Sequence, residues 1–524
     1  MFIGGRNKGF RIISLVLKEH KIFKDLSIEF SDVEDQFDKQ PYISLLIGSN
    51  GTGKSNLLRA ISDIFRELYS IKTTDKRSNS ITGFFLIKYE CDGHFYSFGN
   101  YNDDKKSPNF KSLTSKKPYP FPKIQKDGYS LDIKDAPMPN ALLVSSLMIT
   151  DKFFNDVKGV LPYYKYLGVR TSSNQAGTKT YIRKTVDMLI DALETSNEIL
   201  TRFKLGELLK NIGFKDRLLI QYKPIYQKHF FNIDKPLTEN RFRGFFEEYE
   251  KYTNRKTPPW GFKRYEKIKS DTKLIRKIVD ACNDWTKNDI LTSPPNSKSR
   301  ILSFEIISGS AITEYSDLLK ELSLLDIIRA PEIVFFKNGN PLNYKESSSG
   351  EQNIVTTLIG VMAQIKPNTL VLLDEPEVSL HPNWQMRYIN DFIVKTFEDY
   401  SDCHFVISTH SHFLVSDVRP NGSKVVGLMN DKSGVKVTYP IPENTFGWSA
   451  EQILLEVFQT PTTRNYYVAD KIGEILELIS KNELRDNTPE IRKRVQELIE
   501  LNIDELPKED PLKEVIDKLI QKYG

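Results

Sequence analysis

Little in this chain of 524 residues is suited to crosslinking. It has three cysteines, Cys91, Cys282 and Cys403, far apart and without C-x-x-C spacing. That excludes a disulfide framework and a thiolate zinc site, and the thiols are expected to be ordinary buried ones. Long apolar runs are missing too. No segment approaches the ~18 uninterrupted apolar residues that span a bilayer, and the start "MFIGGRNKGF" lacks the apolar stretch of a signal peptide. A cytoplasmic location without a membrane partner is therefore expected. No heptad pattern lasts several turns, which argues against a long coiled-coil arm, and no repeat of fixed period is present. Charge of one sign is scarce: 74 Lys and Arg face 69 Asp and Glu, for a net charge of +5. The pI near 8.6 is below the value above ~9 of a dedicated nucleic-acid module, so such a partner is permitted without being required.

What is present describes a globular protein of two to four units, at about 100 to 200 residues per domain. "RIISLVLKEHKIFKDLSIEF" alternates apolar and polar residues across two short runs, as a half-buried hairpin does. "YISLLIGSNGTGKSNLLRAISDIFREL" reads as a strand, a glycine-rich turn and a helix with Leu57, Leu58, Ile61 and Ile64 on its apolar face. Strands follow from Ile81 to Tyr101. A lysine- and proline-rich stretch from Asn102 to Asp127 then reads as a surface loop or basic contact segment, and "NALLVSSLMITDKFF" returns to a strand.

Between Val157 and Ser299 the pattern is mainly helical, although "RLLIQYKPIY" also fits a strand. "RAPEIVFFKNGNPLNYKE" predicts a hairpin turning at Asn338 and Gly339. Buried strands are expected in "NTLVLLDEPEVSLHPNWQ" and "CHFVISTHSHFLVSD", and helices from Trp448 onward, with Ser449 and Gln452 as a capping box and a further helix starting at Thr488 and Pro489. The expected division is residues 1–150, a helical insertion at 151–300, a second half at 301–446 and a helical segment at 447–524.

Gly48 to Ser55, "GSNGTGKS", matches G-x-x-x-x-G-K-[ST] in full. Glycines at 48, 51 and 53 let backbone N–H groups face a phosphate, and the helix N-terminus adds its dipole. The expected nucleotide-binding residues are Gly48, Ser49, Asn50, Gly51, Thr52, Gly53, Lys54, Ser55 and Asn56. Lys54 reaches the β and γ phosphates of ATP, and the Ser55 hydroxyl binds Mg²⁺. In "TLVLLDEP" Asp374 can hold the metal's water shell and Glu375 can polarise an attacking water. Adjacent acids after an apolar strand are costly to place without a cation nearby. "KESSSGEQNIVTTLIG" opens a helix with small polar residues. Ser348 with Glu351, or Ser349 with Gln352, fits a capping box.

Taken in order, the phosphate loop, "SSGEQ", "LLDEPEVSLHP" and "STHSH" resemble the Walker A, signature, Walker B with D-loop, and switch histidine of ABC-type ATPases. Within these the chain resembles the RecF, SMC and overcoming-lysogenization group. Its spacer residues are similar to those of the defence-associated PtuA-type ATPases of Septu and retron-Septu systems. The resemblance covers both ends of the ATPase core and is weak between Asn102 and Ser299.

It implies an α/β fold: a P-loop ATPase head of mixed sheet, flanking helices and an antiparallel β lobe. It also implies a homodimer stacked head to tail around ATP. There Ser348, Ser349, Gly350 and Glu351 of one copy meet the nucleotide of the other, Ser379 and His381 line the D-loop, and His410 senses the γ-phosphate. Catalysis would fall to Lys54, Glu375 and His410, with an HNH nuclease as the partner effector. A Q-loop glutamine is missing; Ser146 or Asp151 stand in its place, and His20, Lys21 or Phe23 in the adenine contact's.

A self-contained nuclease of the overcoming-lysogenization type would need a D-x-D strand end after His410, and none follows. A transporter subunit fits poorly with the RecF-like start and the large insertion. A RecF-like repair ATPase binding DNA directly remains as the alternative.

Overall fold

The computed structural model describes residues 9–32, 39–100, 121–148, 150–156, 159–170, 178–195, 198–252, 260–288, 290–293, 299–309, 312–442, 444–460, 464–481, 488–501, 503–507 and 510–524. It comprises two compact units, Met1–Gly447 and Trp448–Gly524.

In the first unit β1 (Phe10–Lys18) and β2 (Asp25–Glu29) form the expected antiparallel hairpin. β3 (Tyr42–Ile47) leads into α1 (Lys54–Thr74). Next come β4 (Phe84–Cys91), β5 (His94–Gly99), β6 (Lys123–Lys126) and β7 (Tyr129–Leu131). They extend the hairpin into an antiparallel sheet of order β2-β1-β4-β5-β6-β7. The basic stretch expected as a loop lies outside the described residues as far as residue 120, and its far end is the β6–β7 hairpin.

β8 (Ala141–Ser146) and β9 (Tyr164–Tyr166) precede two helices, α2 (Thr178–Thr195) and α3 (Glu198–Asn211). The insertion is less purely helical than its pattern suggests. β10 (Leu218–Tyr222) and β11 (Leu291–Thr292) join β12 (Ile301–Glu305), β13 (Glu332–Lys337) and β14 (Asn340–Asn343) in a second antiparallel sheet. β10 sits between β12 and β13 because its alternate residues Leu218, Ile220 and Tyr222 are buried. Phe214, just before β10, stacks on Phe335 of β13 at 4.8 Å. The turn between β13 and β14 falls at Asn338 and Gly339, both with positive φ.

The remaining strands, β15 (Thr369–Asp374), β16 (His404–Ser408), β17 (Ser423–Asn430) and β18 (Lys436–Tyr439), complete a sheet of order β18-β17-β3-β16-β15-β8-β9. All its pairings are parallel except β17 with β18. β3, β15 and β16 are buried along their whole length, as strands covered on both faces must be. The α1 face Leu57, Leu58, Ile61 and Ile64 packs into a core shared with Phe10, Phe65 and Tyr89.

An unanticipated histidine ties the six-stranded antiparallel sheet to the seven-stranded one. His404, fully buried at the start of β16, accepts the Ile12 N–H of β1 at Nδ1 over 3.0 Å. Its Nε2 lies 2.7 Å from the Ser44 hydroxyl of β3, which donates onward to the Phe30 carbonyl. Nδ1 accepts, so Nε2 carries the proton and the imidazole is neutral. The second unit has its own core, built by Ile472 and Ile475 of helix Tyr466–Lys481, Ile491, Val495 and Leu498 of Thr488–Ile499, and Ile516 and Leu519 of Pro511–Tyr523. Leu476, beside Ile475 in the first of these helices, is 49% exposed. Ser449 accepts the Gln452 N–H, while the Gln452 amide turns to Glu456, so only half of the expected capping box forms.

Burial lowers the His404 pKa from 6.5 to about 3. The unfolded chain therefore binds the proton more readily, so stability is intact above about pH 6.5 and is lost as the pH falls toward 3. This one group should remove about 1.4 kcal/mol per pH unit within that window. Thermal unfolding midpoints should fall more steeply from pH 7 to pH 5 in the wild type than in His404→Asn. Parallel slopes would contradict the neutral staple.

Candidate functional site

Parallel pairing puts the carboxyl ends of β3, β16, β15 and β8 at one edge of the sheet. Asp374, the last residue of β15, stands in register with Ser408 of β16 and Ser146 of β8. Beyond β3 the chain enters the glycine loop. Gly48, Gly51 and Gly53 have φ of 148°, 80° and 98°. A Cβ on Gly48 would lie 2.1 Å from the Leu428 carbonyl oxygen, so close approach as well as φ demands glycine. Ser49, Asn50 and Gly51 are exposed, while Thr52 is buried and its hydroxyl donates to the Ser49 carbonyl at 2.9 Å. Gly53 gives α1 no side-chain cap, which leaves the first-turn N–H groups free to face an anion. Ser55 and Asn56 occupy that turn, half-buried.

Lys54 is 4% exposed, and its ammonium donates to the Gly48 carbonyl at 2.8 Å. The same nitrogen lies 2.7 Å from Nε2 of His410, which is in turn 3.3 Å from Glu375 Oε1. Burial lowers the Lys54 pKa to about 8, with Glu375, Glu377 and Asp374 opposing the shift. The His410 hydrogen bond holds the Glu375 carboxyl below its usual range, so it stays ionised. Burial pushes Asp374 upward, against hydrogen bonds from Ser408 (2.6 Å), Ser55 and Ser146 (3.4 Å). Glu375 carries a φ of 49°, a strained conformation for a residue with a Cβ; its N–H donates to the Ser408 carbonyl at 3.0 Å. The structure thus brings together the phosphate loop, Asp374, Glu375 and His410.

The signature residues form a second group. Ser348 caps the helix Ser349–Gln364 in a reciprocal box with Glu351. Of the two pairings the sequence allows, this one forms; the Gln352 amide donates instead to the Tyr344 and Ser347 carbonyls. Glu351 also pairs with Lys337 at 2.8 Å, so both carboxylate oxygens are engaged within the chain. Ser348 and Ser349 are exposed. A Cβ on Gly350 would lie 2.7 Å from the Ser379 carbonyl oxygen, so the helix start packs directly on the D-loop, where Ser379 has a φ of 67°. His381 caps the next short helix through its ring.

Two substitutes proposed from sequence take other roles. Asp151 is bound by both Arg170 Nε (3.0 Å) and Nη2 (2.7 Å) and by the Tyr166 hydroxyl, which leaves Ser146 at the site. Phe23 is fully buried with its ring against Gly53, so it cannot lie on adenine; His20 stacks on it with ring centroids 5.5 Å apart. Sequence reasoning missed Ser408, Glu377 and Asn353. Glu377 had a signal, being a third acid in "DEPE" behind a fully buried strand.

The donors beside the loop are all oxygen: Ser55, Asp374, Ser408 and Ser146. Among the described residues no group of three or more His, Cys, Asp or Glu gathers to form a metal cage. A hard cation held by one hydroxyl, one carboxylate and the oxygens of a phosphate ligand fits this set, as Mg²⁺ does.

Residues 11–415 match the family described as AAA ATPase domain. The retron Ec83 probable ATPase of Escherichia coli is 23% identical over 484 residues, covering 87% of this chain and 78% of its own. The retron Vc95 probable ATPase of Vibrio cholerae serotype O1 biovar El Tor is 24% identical over 233 residues, covering 42% and 40%. Among solved structures, an SMC head domain from Thermotoga maritima aligns with 15% identity and a TM-score of 0.33, over 82% of this chain and 99% of that one. No described helix is long and apolar enough to cross a membrane.

Burial lowers the Lys54 pKa to about 8, and its expected role toward phosphate is one for the ammonium form. ATP affinity measured by calorimetry should therefore fall up to about tenfold from pH 7 to pH 9. Lys54→Arg, charged throughout, should show no such fall. Wild-type affinity that does not change with pH would contradict the assignment.

Proposed function

Because the chain belongs to the AAA ATPase domain family and is an ATPase, we propose that it hydrolyses ATP at paired sites, each completed by the signature residues of a second copy. One observation carries this reading: the glycine loop, Lys54, Asp374, Glu375 and His410 converge on one sheet edge, with Lys54 Nζ 2.7 Å from His410 Nε2. In this reading the loop N–H groups and Lys54 hold the β and γ phosphates, and Ser55 and Asp374 hold Mg²⁺, which offsets charge on those phosphates. Glu375 orients and polarises the attacking water; its lowered carboxyl pKa suits accepting a hydrogen bond better than storing a proton. His410 Nε2 faces both Lys54 and Glu375 and can either accept from the ammonium or donate to the carboxylate, so negative charge arriving at the ammonium bears on which of the two it serves.

The exposed Ser348 and Ser349 support the part played in trans. Ser348 and Glu351 already satisfy the cap of their own helix. Ser349 is then left at a helix N-terminus with its dipole free for an anion from another chain. A two-fold, isologous pairing of such sites closes without leaving unused signatures.

The sequence likeness to Septu-type ATPases and the retron ATPase relatives support a defence role in which ATP-driven dimerisation controls a partner effector, such as an HNH nuclease. We place the effector's docking on the Trp448–Gly524 unit, which has its own core and carries no motif of the ATPase.

Glu375→Gln should bind ATP, fail to turn it over and accumulate as a dimer with ATP and Mg²⁺ in size-exclusion chromatography; a monomer under those conditions sinks the pairing. Ser349→Arg and Lys54→Ala should each be inactive alone. Their mixture should regain part of the activity, since half of the composite sites in a mixed dimer carry neither lesion. No recovery at any ratio would count against action in trans.

A further inference from the structure

We propose that Glu377 is a positioning residue for hydrolysis, holding His410 against Lys54, and that Asn353 ties this hold to the start of the signature helix. His410 lies in the irregular link between β16, which ends at Ser408, and the short helix capped by Ser411. Its backbone N–H has left the sheet ladder and needs an acceptor. Glu377 supplies one, with Oε1 2.7 Å from the His410 nitrogen. The acid is 8% exposed, and burial raises its carboxyl pKa. An apolar residue would fill the place at lower desolvation cost, but it would leave the His410 N–H unpaired.

The segment carrying Glu377 is itself clamped. Asn353 Nδ2 donates to the Pro376 carbonyl at 2.9 Å and to the Val378 carbonyl at 2.7 Å, one on each side of Glu377. The Thr357 hydroxyl donates to Asn353 Oδ1 at 3.2 Å, which fixes the way the amide faces. Asn353 is one turn into the helix that begins at Ser349. A continuous set of contacts therefore runs from the signature helix through Asn353, the backbone around Glu377 and the His410 N–H to the imidazole beside Lys54. Through it, a displacement of the helix start on meeting a second copy reaches the histidine that touches the P-loop ammonium. Glu377 needs no contact with nucleotide for this.

The inference rests on His410 belonging to the hydrolytic site, so the test includes His410→Ala. Glu377→Ala should lower kcat by about tenfold or more while KM for ATP changes less than about threefold, because a misplaced group affects the reacting geometry more than binding. Glu377→Gln keeps an amide oxygen for the His410 N–H and should recover to within about threefold of wild type. In the His410→Ala background, Glu377→Ala should add no further loss. Multiplying losses, or a Gln variant as slow as Ala, would overturn the proposal. Should Glu377→Ala fail to fold, Glu377→Asp, which draws the acceptor back by one methylene, carries the same cycle. A His410→Ala protein with wild-type turnover would instead remove the site reading itself. A slow His410→Ala beside an unimpaired Glu377→Ala would remove this inference alone.

Discussion

Parallel, in-register pairing of β3, β16, β15 and β8 governs the rest of the molecule. Because these strands run the same way, the glycine loop, the His410 link, the Asp374–Glu375 pair and Ser146 must emerge at one edge, although more than 350 positions separate Lys54 from His410. The ladder also sets the finer chemistry. Asp374 sits opposite Ser408, whose hydroxyl donates to it, and the Ser408 carbonyl holds the N–H of strained Glu375. A one-residue slip between β15 and β16 would exchange faces and lose both contacts.

Charge burial is the second constraint. The edge gathers Lys54, Asp374, Glu375 and Glu377 at low exposure, which is tolerable only because each has a partner: the Gly48 carbonyl for the lysine, hydroxyls for Asp374, His410 for Glu375, and a backbone N–H for Glu377. Three acids near a single buried ammonium make a site whose balance changes when a polyanion and a divalent cation enter together. The same logic, with opposite chemistry, explains His404. It is kept neutral by its burial between two sheets and by the nearby positive charge of Arg11.

Motifs that express local backbone demands were legible in the sequence. Three glycines at positive φ before a helix, two acids after an apolar strand, a hairpin turning at Asn338 and Gly339, and a polar helix start each need particular residues at fixed spacing. What stayed hidden depends on contacts across the fold. Nothing local in "QNIV" marks Asn353 as a clamp on residues 376 to 378, and nothing near Asp151 foretells Arg170 and Tyr166 taking it. The insertion read as mainly helical because β11 is too short to show a pattern, whereas β10 falls in "RLLIQYKPIY", which also fits a strand; both pair with β12, just past the end of the insertion. Phe23 looked available because a hairpin turn is usually exposed, yet glycine at position 53 opens a seat for its ring. The capping box was a correct local reading of Ser348 and Glu351, and it leaves Ser349 uncommitted.

In the proposed dimer this uncommitted Ser349 faces the phosphate loop of the other copy. The three native cysteines are buried, so introduced thiols can report on it cleanly. Proteins bearing Ser349→Cys and Asn50→Cys, mixed with ATP and Mg²⁺ and then oxidised, should give a disulfide-linked dimer. Neither protein alone should give it, and nor should the mixture without nucleotide. A disulfide forming inside a single chain that carries both substitutions, or no crosslink in the mixture under any nucleotide condition, would rule out this pairing.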